Sequence, residues 1–595
     1  MKILLLFSFL TSLAYASANS HCRCRPHQHC WPSPKEWRAL NYSVNGNLVA
    51  VRPVADACHD ERERSEACQV VQSQWTNSTW RAAQPGAVQY VNWEAWPEQN
   101  QTCHIATPFN QPCGQGRVSL YSIIATSASD IQKGVRFARK NNLRLAIKNS
   151  GHCFLGRSTA PESLQILTSG LKDINIIDNF KAKGAPKGRR EGPAVTIAAG
   201  VSLQELYPVV GAKDRVVVAG AAHTVGAAGG YIQGGGHSFL GPWKGMASDN
   251  ALQFTVVTAE GELVVANEYH NSDLFWALRG GGGGTFGVVV DVTLRTFEEA
   301  PVTLANLNIS TPEGHPNFWE GVSQFHAHLP GLNDAGGGGY YYVFPQLPWT
   351  DNTTISGFIA TFMFPDQTDV SKVNEAYAPL LKQLNETSGV TIQYAAYTLP
   401  NIATLISDVL ITNDADTTGS ITLLCSRLFS RDLLTSKDGP RRLSSVLKSI
   451  LGPGQVATGH VVAGGAVAQG RHIDSAIHPA WRKAATHITT GHSWNPNASL
   501  EEQEAIKNLA WRDVGRLRSV EGPKSMGAYL NEANAYEKNF QTSFWGSNYR
   551  RLYEIKQKWD PSGLFITRSG VGSEDWDAEG LCRKKGGHCR SQYED

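Results

Sequence analysis

The chain has 595 residues and carries 54 Lys+Arg against 52 Asp+Glu, a net charge of +2. No Lys/Arg block suits DNA or a membrane surface, so neither nucleic acid nor a membrane is expected as a partner. The length allows several domains with substantial cores, and the composition is ordinary apart from 57 glycines, 16 tryptophans and an odd count of 11 cysteines.

Lys2 is followed by ILLLFSFLTSL and then by small residues at Ala14, Ala16 and Ala18. This is the pattern of a secretory signal over residues 1–18, too short in its apolar core to span a bilayer. Sequons at Asn41, Asn77, Asn100, Asn308, Asn352, Asn385 and Asn497 agree with a secreted, glycosylated product. Residues 19–114 form a cysteine-rich segment. Its HCRCRPHQHC run (His21 to Cys30) matches no zinc spacing, and in an oxidising compartment disulfides are the better reading. Cys22, Cys24 and Cys30 are expected to pair with Cys58, Cys68, Cys103 or Cys113, and the segment is given no chemistry of its own.

Residues 115–298 alternate strands and helices. Leu120 to Ala125 reads as a strand and Ser129 to Asn142 as a helix, with Ile131, Val135 and Ala138 on one face. Leu143, Leu145 and Ile147 then alternate as in a half-buried strand, which runs into Asn149-Ser150-Gly151-His152. Ala194 to Val201 is a strand, and Ser202-Leu-Gln-Glu205 is a capping box that opens a short helix. Val216 to Ala219 is a strand again. A hairpin follows around Glu260-Gly261, and Val288 to Leu294 is a closing strand.

Glycine is concentrated in turns within this region, in NSGH, in TVGAAGGYIQGGGH (Thr224 to His237) and in GGGGGTFG after Arg279. Glycines held tightly between strands let backbone approach a ligand closely, and a large cofactor with a pyrophosphate is the natural guest. No GxxxxGK[ST] is present, nor a GxGxxG between a first strand and its helix with the acidic residue that should follow.

IKNSGHCFLGRST, TVGAAGGYIQGGGH, ASDNALQFTVVTAEGELVVAN and DLFWALRGGGGGTFGVVVDVTL resemble successive parts of the FAD-binding domain of the vanillyl-alcohol-oxidase/berberine-bridge-enzyme family. Asn548 to Phe565 (NYRRLYEIKQKWDPSGLF) resembles its terminal segment. The secreted fungal, isoamyl-alcohol-oxidase-like branch is the best match. The resemblance implies an α+β fold: a two-subdomain PCMH-type FAD-binding domain over 115–298 and an antiparallel-sheet substrate domain with covering helices over 299–510. Residues 511–575 then return to the FAD domain, and a tail over 576–595 has Cys582 and Cys589 in one small disulfide loop.

The resemblance also implies site residues. His152 would carry FAD covalently, and with Ala221-Ala222-His223 where some members place a second attachment cysteine, the link would be single. Asn149, Ser150, Gly151, Cys153, Gly234, Gly235 and Gly236 would offer backbone to the cofactor, with Val288 and Val289 at its adenine end and Asn531 at the flavin. Cys153 reads as a buried or disulfide cysteine rather than a flavin ligand, and Cys425 as a core thiol. Glu532 stands where relatives often have a catalytic tyrosine, with Tyr529 before it; either burial raises its pKa and makes it a base, or it is a hydrogen-bonding structural residue. His223 and His237 are in reserve, and no metal is expected. The implied activity is that of a monomeric FAD-dependent oxidase, passing hydride from a small molecule, an alcohol first, to flavin N5, with O2 as acceptor. The alternatives are a secondary-metabolite oxidase performing dehydrogenation or oxidative cyclisation and, remotely, a non-catalytic flavin-binding protein.

Overall fold

Ser127 accepts a hydrogen bond from Asp130 N–H while the Asp130 carboxylate takes the Ser127 N–H, and this capping box starts the helix Ala128–Lys140. The helix buries Ile131, Gly134, Val135 and Ala138. A Cβ at Gly134 would stand 2.7 Å from Ile123 Cδ1, so glycine sets how closely the helix lies on its sheet. The computed structural model describes residues 22–59, 65–350, 353–412, 415–522 and 526–584. The leader, Asn352 and Cys589 lie outside them.

Three sheets carry the fold. The first runs in the order Leu48–Ala50, Tyr121–Ile124, Ser163–Leu167, Arg144–Lys148, the last three strands parallel. The second is antiparallel, in the order Ile174–Phe180, Gly192–Ala198, Val288–Glu298, Ala251–Val257, Leu263–Asn267, with Arg215–Val217 paired to the far end of Val288–Glu298. Its hairpin turns at Gly261, whose φ of +77° suits glycine. The third is a seven-stranded antiparallel sheet, in the order Thr391–Leu399, Val302–Pro312, Thr353–Pro365, Gly338–Thr350, Ala457–Val461, Ala484–His492, Leu423–Ser430. Helices Asn317–Asp334, Val370–Asn385, Gly439–Ile450 and Leu500–Glu521 pack on or beside it. One continuous apolar core joins all three sheets. The chain is thus of mixed α+β class. Among the described residues no helix is long and apolar enough to cross a membrane.

The cysteine pairing departs from expectation. Cys24–Cys30, Cys58–Cys68 and Cys103–Cys113 each close a local loop, and Cys22 bonds Cys582 rather than leaving it to Cys589. The physical reason is that the two ends of the described chain meet. Arg23 N–H donates to Leu581 O, and the Arg23 guanidinium lies 4.5 Å over the Trp576 ring. Cys153 and Cys425 are free, and burial pushes the Cys425 thiol up to about 12. Four disulfides fit an oxidising compartment.

Because Cys22–Cys582 ties positions 560 residues apart, converting both to serine should destabilise the protein by about 2–4 kcal/mol. Urea unfolding followed by tryptophan fluorescence reads this directly; an unchanged midpoint would show that the staple contributes nothing. Of the described sequons, Asn100, Asn308, Asn385 and Asn497 are exposed. Asn41 and Asn77 are half-buried, with their side-chain oxygens accepting from Leu48 N–H and Trp80 N–H.

Candidate active site

The loop that follows the strand Arg144–Lys148 is fixed by its neighbours before any ligand is considered. Asn149 donates from Nδ2 to Thr168 Oγ1 at 3.1 Å and to Ala199 O. Its side chain fills the space over two glycines, since a Cβ at Gly226 would lie 1.8 Å from Asn149 Oδ1 and one at Gly229 2.9 Å from Cγ. Ser150 Oγ accepts from Gly226 N–H at 3.3 Å, and Gly151 turns the chain at φ +85°. Gln89, from the cysteine-rich segment, donates to Gly151 O and Ser150 O at 3.1 and 2.9 Å.

His152 emerges from this turn with Nε2 2.6 Å from Thr224 Oγ1. Burial holds its pKa down to about 4, against an opposing pull from the Asp416 carboxylate, so the ring is a neutral nucleophile near pH 7. Cys153 accepts at Sγ from Arg157 N–H and Nε–H at 3.4 and 3.3 Å.

These residues edge a cavity of about 650 Å³ lined from all three sheets, by Ile147 of the first, Val289 of the second and Tyr340 of the third among others. Asn149, Ser150, Gly151, His152, Cys153, Val289, Tyr529, Asn531 and Glu532 all line it. Gly234, Gly235, Gly236 and Val288 do not. They do nearby packing instead: a Cβ at Gly234 would strike the Asn531 amide at 2.5 Å, and one at Gly236 the Tyr231 ring at 2.8 Å. Besides Gly151, the glycines that face the cavity are Gly220, Gly226, Gly229, Gly230, Gly283, Gly284 and Gly287. Tyr90 also lines it, so the cysteine-rich segment contributes to the site it was not expected to touch.

Gly230 is the informative glycine. A Cβ there meets nothing within 4 Å, its φ is not positive, and Asn531 Nδ2 donates to its carbonyl at 3.1 Å. Side-chain-free backbone facing open space is what an elongated cofactor laid along the glycine turns requires. Gly230→Leu should therefore fold and fill the cradle, cutting bound flavin per protein chain well below the wild-type ratio; full flavin content would show that no cofactor passes there.

Elsewhere on the cavity lining, His237, His460 and Glu532 converge from separate elements, and the buried His487 packs against them from off the lining. His237 follows the Gly234–Gly236 turn, His460 and His487 are paired residues on adjacent strands, and Glu532 sits on the short turn Leu530–Glu532. His237 Nε2 is 2.9 Å from Glu532 Oε1, and His487 Nδ1 is 3.4 Å from Oε2. His460 Nδ1 donates to His487 O at 3.1 Å. Tyr529 presents its ring edge to His237, centroids 5.0 Å apart, and its hydroxyl accepts from Asn531 Nδ2 at 2.8 Å.

The electrostatics reverse one expectation. Burial does oppose ionisation of Glu532, but His237, then His460 and His487, more than offset it and hold its pKa well below the carboxylate range. Burial pushes Tyr529 above its ordinary value and lowers His460 to about 4 and His487 further still. The cluster thus offers one anionic carboxylate beside two imidazoles, His460 and His487, that burial keeps neutral. His237 lines the cavity; His223 does not, and its Nδ1 pairs with Asp416 Oδ1 at 2.6 Å. His460 and His487 escape a reading of the sequence because they carry no motif. Only the pairing of Ala457–Val461 with Ala484–His492 sets one ring beside the other.

The FAD binding domain family matches residues 120–267 and the berberine and berberine-like family residues 528–572. An uncharacterized FAD-linked oxidoreductase of Arthroderma benhamiae is 49% identical over 582 residues, 97% of this chain and 98% of that one. FAD-linked oxidoreductase malF of Malbranchea aurantiaca is 42% identical over 95% of this chain and 94% of its own. Among solved structures, a VAO-type flavoprotein of Myceliophthora thermophila C1 superposes with a TM-score of 0.83 at 33% identity, covering 95% of this chain and 100% of that one.

Proposed function

This chain belongs to the FAD-linked oxidoreductases of the vanillyl-alcohol-oxidase and berberine-bridge-like family, and from that premise we propose that it is a secreted oxidase of small-molecule substrates. The observation that carries the reading is one cavity bordered both by His152 on its glycine-rich turn and by the histidine–glutamate cluster. When bound, FAD supplies the hydride acceptor, and O2 takes up the electrons as H2O2.

His152 is the single covalent anchor. Thr224 engages its Nε2, which leaves Nδ1 for the tether. The backbone of Asn149 to Cys153 and of Gly229 and Gly230 lies against the cofactor, and Asn531 braces that second stretch through Gly230 O and Tyr231 O. Glu532 is the one carboxylate lining the cavity among the described residues, so it accepts the substrate's O–H or N–H. Tyr529, whose hydroxyl already accepts from Asn531, has its own proton to donate to a substrate heteroatom.

One observation favours the biosynthetic reading over a small alcohol. Tyr340, Tyr342, Val409, Leu410 and Leu424 line the same cavity, and Tyr342 and Val409 are exposed at 38% and 37%. An apolar wall of this kind suits a bulky apolar intermediate undergoing dehydrogenation or oxidative cyclisation. The test is anaerobic mixing of flavin-loaded protein with panels of small alcohols, sugars and apolar polycyclic compounds bearing hydroxyl or amine groups. Bleaching near 450 nm followed by H2O2 on admitting air is expected, with the apolar panel reacting fastest. A flavin that no donor bleaches would sink the reading.

A further inference from the structure

We propose that His237 and Glu532 on the cavity lining, with the buried His487 beside them, form a divalent-cation site with a ligand set suited to zinc and an open position for substrate. One ligand atom from each of the three lies within 4.8 Å of the other two, drawn from three separate elements of the fold.

The orphaned atoms carry the argument. His487 is fully buried, and neither of its ring nitrogens has a hydrogen-bond partner; His237 Nδ1 and Glu532 Oε2 have none either. Buried polar atoms in a native protein are nearly always satisfied; His487 Nδ1 and Glu532 Oε2 stand 3.4 Å apart, and a cation held between them and His237 Nε2 would satisfy both. Two imidazoles and a carboxylate are the three-ligand set of a catalytic zinc, which leaves one coordination position open.

Bonds of about 2.0–2.1 Å to a common ion put tetrahedral ligand atoms about 3.3–3.4 Å apart. The glutamate oxygens already stand 2.9 Å from His237 Nε2 and 3.4 Å from His487 Nδ1, so small side-chain rotations close the site. Burial also favours the neutral ring that ligation needs at His487. His460, hydrogen-bonded to the carbonyl of His487, braces the strand that presents the ligand.

The inference rests on the oxidoreductase reading and deepens it. A cation there would bind a substrate hydroxyl and lower its pKa, with one Glu532 oxygen as ligand and the other left to accept the proton. A substrate presenting oxygen to the cluster is therefore favoured over one with only carbon and protonated nitrogen.

The test uses flavin-loaded protein stripped with a chelator and titrated with Zn²⁺ by calorimetry, in wild type, His487→Gln and Glu532→Gln. One Zn²⁺ per chain is expected in the wild type, with affinity lowered at least about 100-fold in each variant. Acetohydroxamate should then bind only the zinc-loaded wild type. Absence of saturable uptake, or variants that bind as the wild type does, would overturn the site and show that water or substrate satisfies the orphans instead. His487 is in the core, where replacement can prevent folding, whereas Glu532, with a side chain 22% exposed, is the safer variant and decides alone if need be. Retained flavin with no zinc uptake would sink the cation site and leave the oxidoreductase reading standing; absence of flavin from the purified wild type would sink that reading instead.

Discussion

Acid precipitation of the wild-type protein is expected to give a yellow pellet, and of His152→Ala a colourless one with the flavin left in the supernatant. The expectation rests on a single side chain. Among the residues of the anchoring turn only His152 combines a neutral ring, kept so by burial, with a place on the cavity. Thr224 fixes the ring by its Nε2, and Asn149, Ser150 and Gly151 are held by Ala199, Gly226 and Gln89, so the alanine variant should keep the fold of the turn. It should still bind FAD non-covalently in the glycine-lined cavity, with a lower reduction potential once the electron-withdrawing link is gone. A coloured pellet from His152→Ala would mean that another residue carries the tether, and Cys153, next along the same cavity, would be examined first.

Glu532→Gln should slow substrate-dependent bleaching of the flavin by about 10²–10⁴-fold while leaving flavin content unchanged. The replacement keeps the shape of the side chain and removes the one negative charge that lines the cavity among the described residues. His237, whose Nε2 contacts Oε1 at 2.9 Å, would face a neutral amide instead of a carboxylate. Stopped-flow reduction under nitrogen, using a donor identified by bleaching, separates this loss from any change in O2 reactivity. If the reduction rate of Glu532→Gln matched the wild type, the cluster would be structural and neither its proton nor its cation chemistry would survive.

Much of the FAD-binding half was legible because its signals are local. The capping boxes at Ser127 and Ser202, the turn at Gly261 and the strand leading into Asn149–His152 each depend on residues a few positions apart. Even so, the helix opened by Ser202 runs on through Pro208 to Gly211, and the closing strand that starts at Val288 continues to Glu298. Pro208 sits in the second turn without stopping the helix, because the apolar face of Leu203, Leu206, Tyr207 and Val210 is buried on the core.

The amino-acid sequence by itself pointed to the candidate flavin anchor. His152 on its glycine turn is a matter of neighbouring residues, and the glycine runs announce close backbone approach. Only the tertiary structure decided which glycines face the cavity, since Gly230 and Gly234 look alike in sequence and differ only in what stands opposite each. It also decided the cysteine pairing, because the meeting of Cys22 with Cys582 is a property of two distant chain ends. The sign of the Glu532 shift was decided the same way. Burial alone would raise that pKa, and it is the arrival of His237, His460 and His487, up to 295 residues away in the case of His237, that reverses it. Coulomb energy depends on distance through space, and no local pattern in the sequence records it.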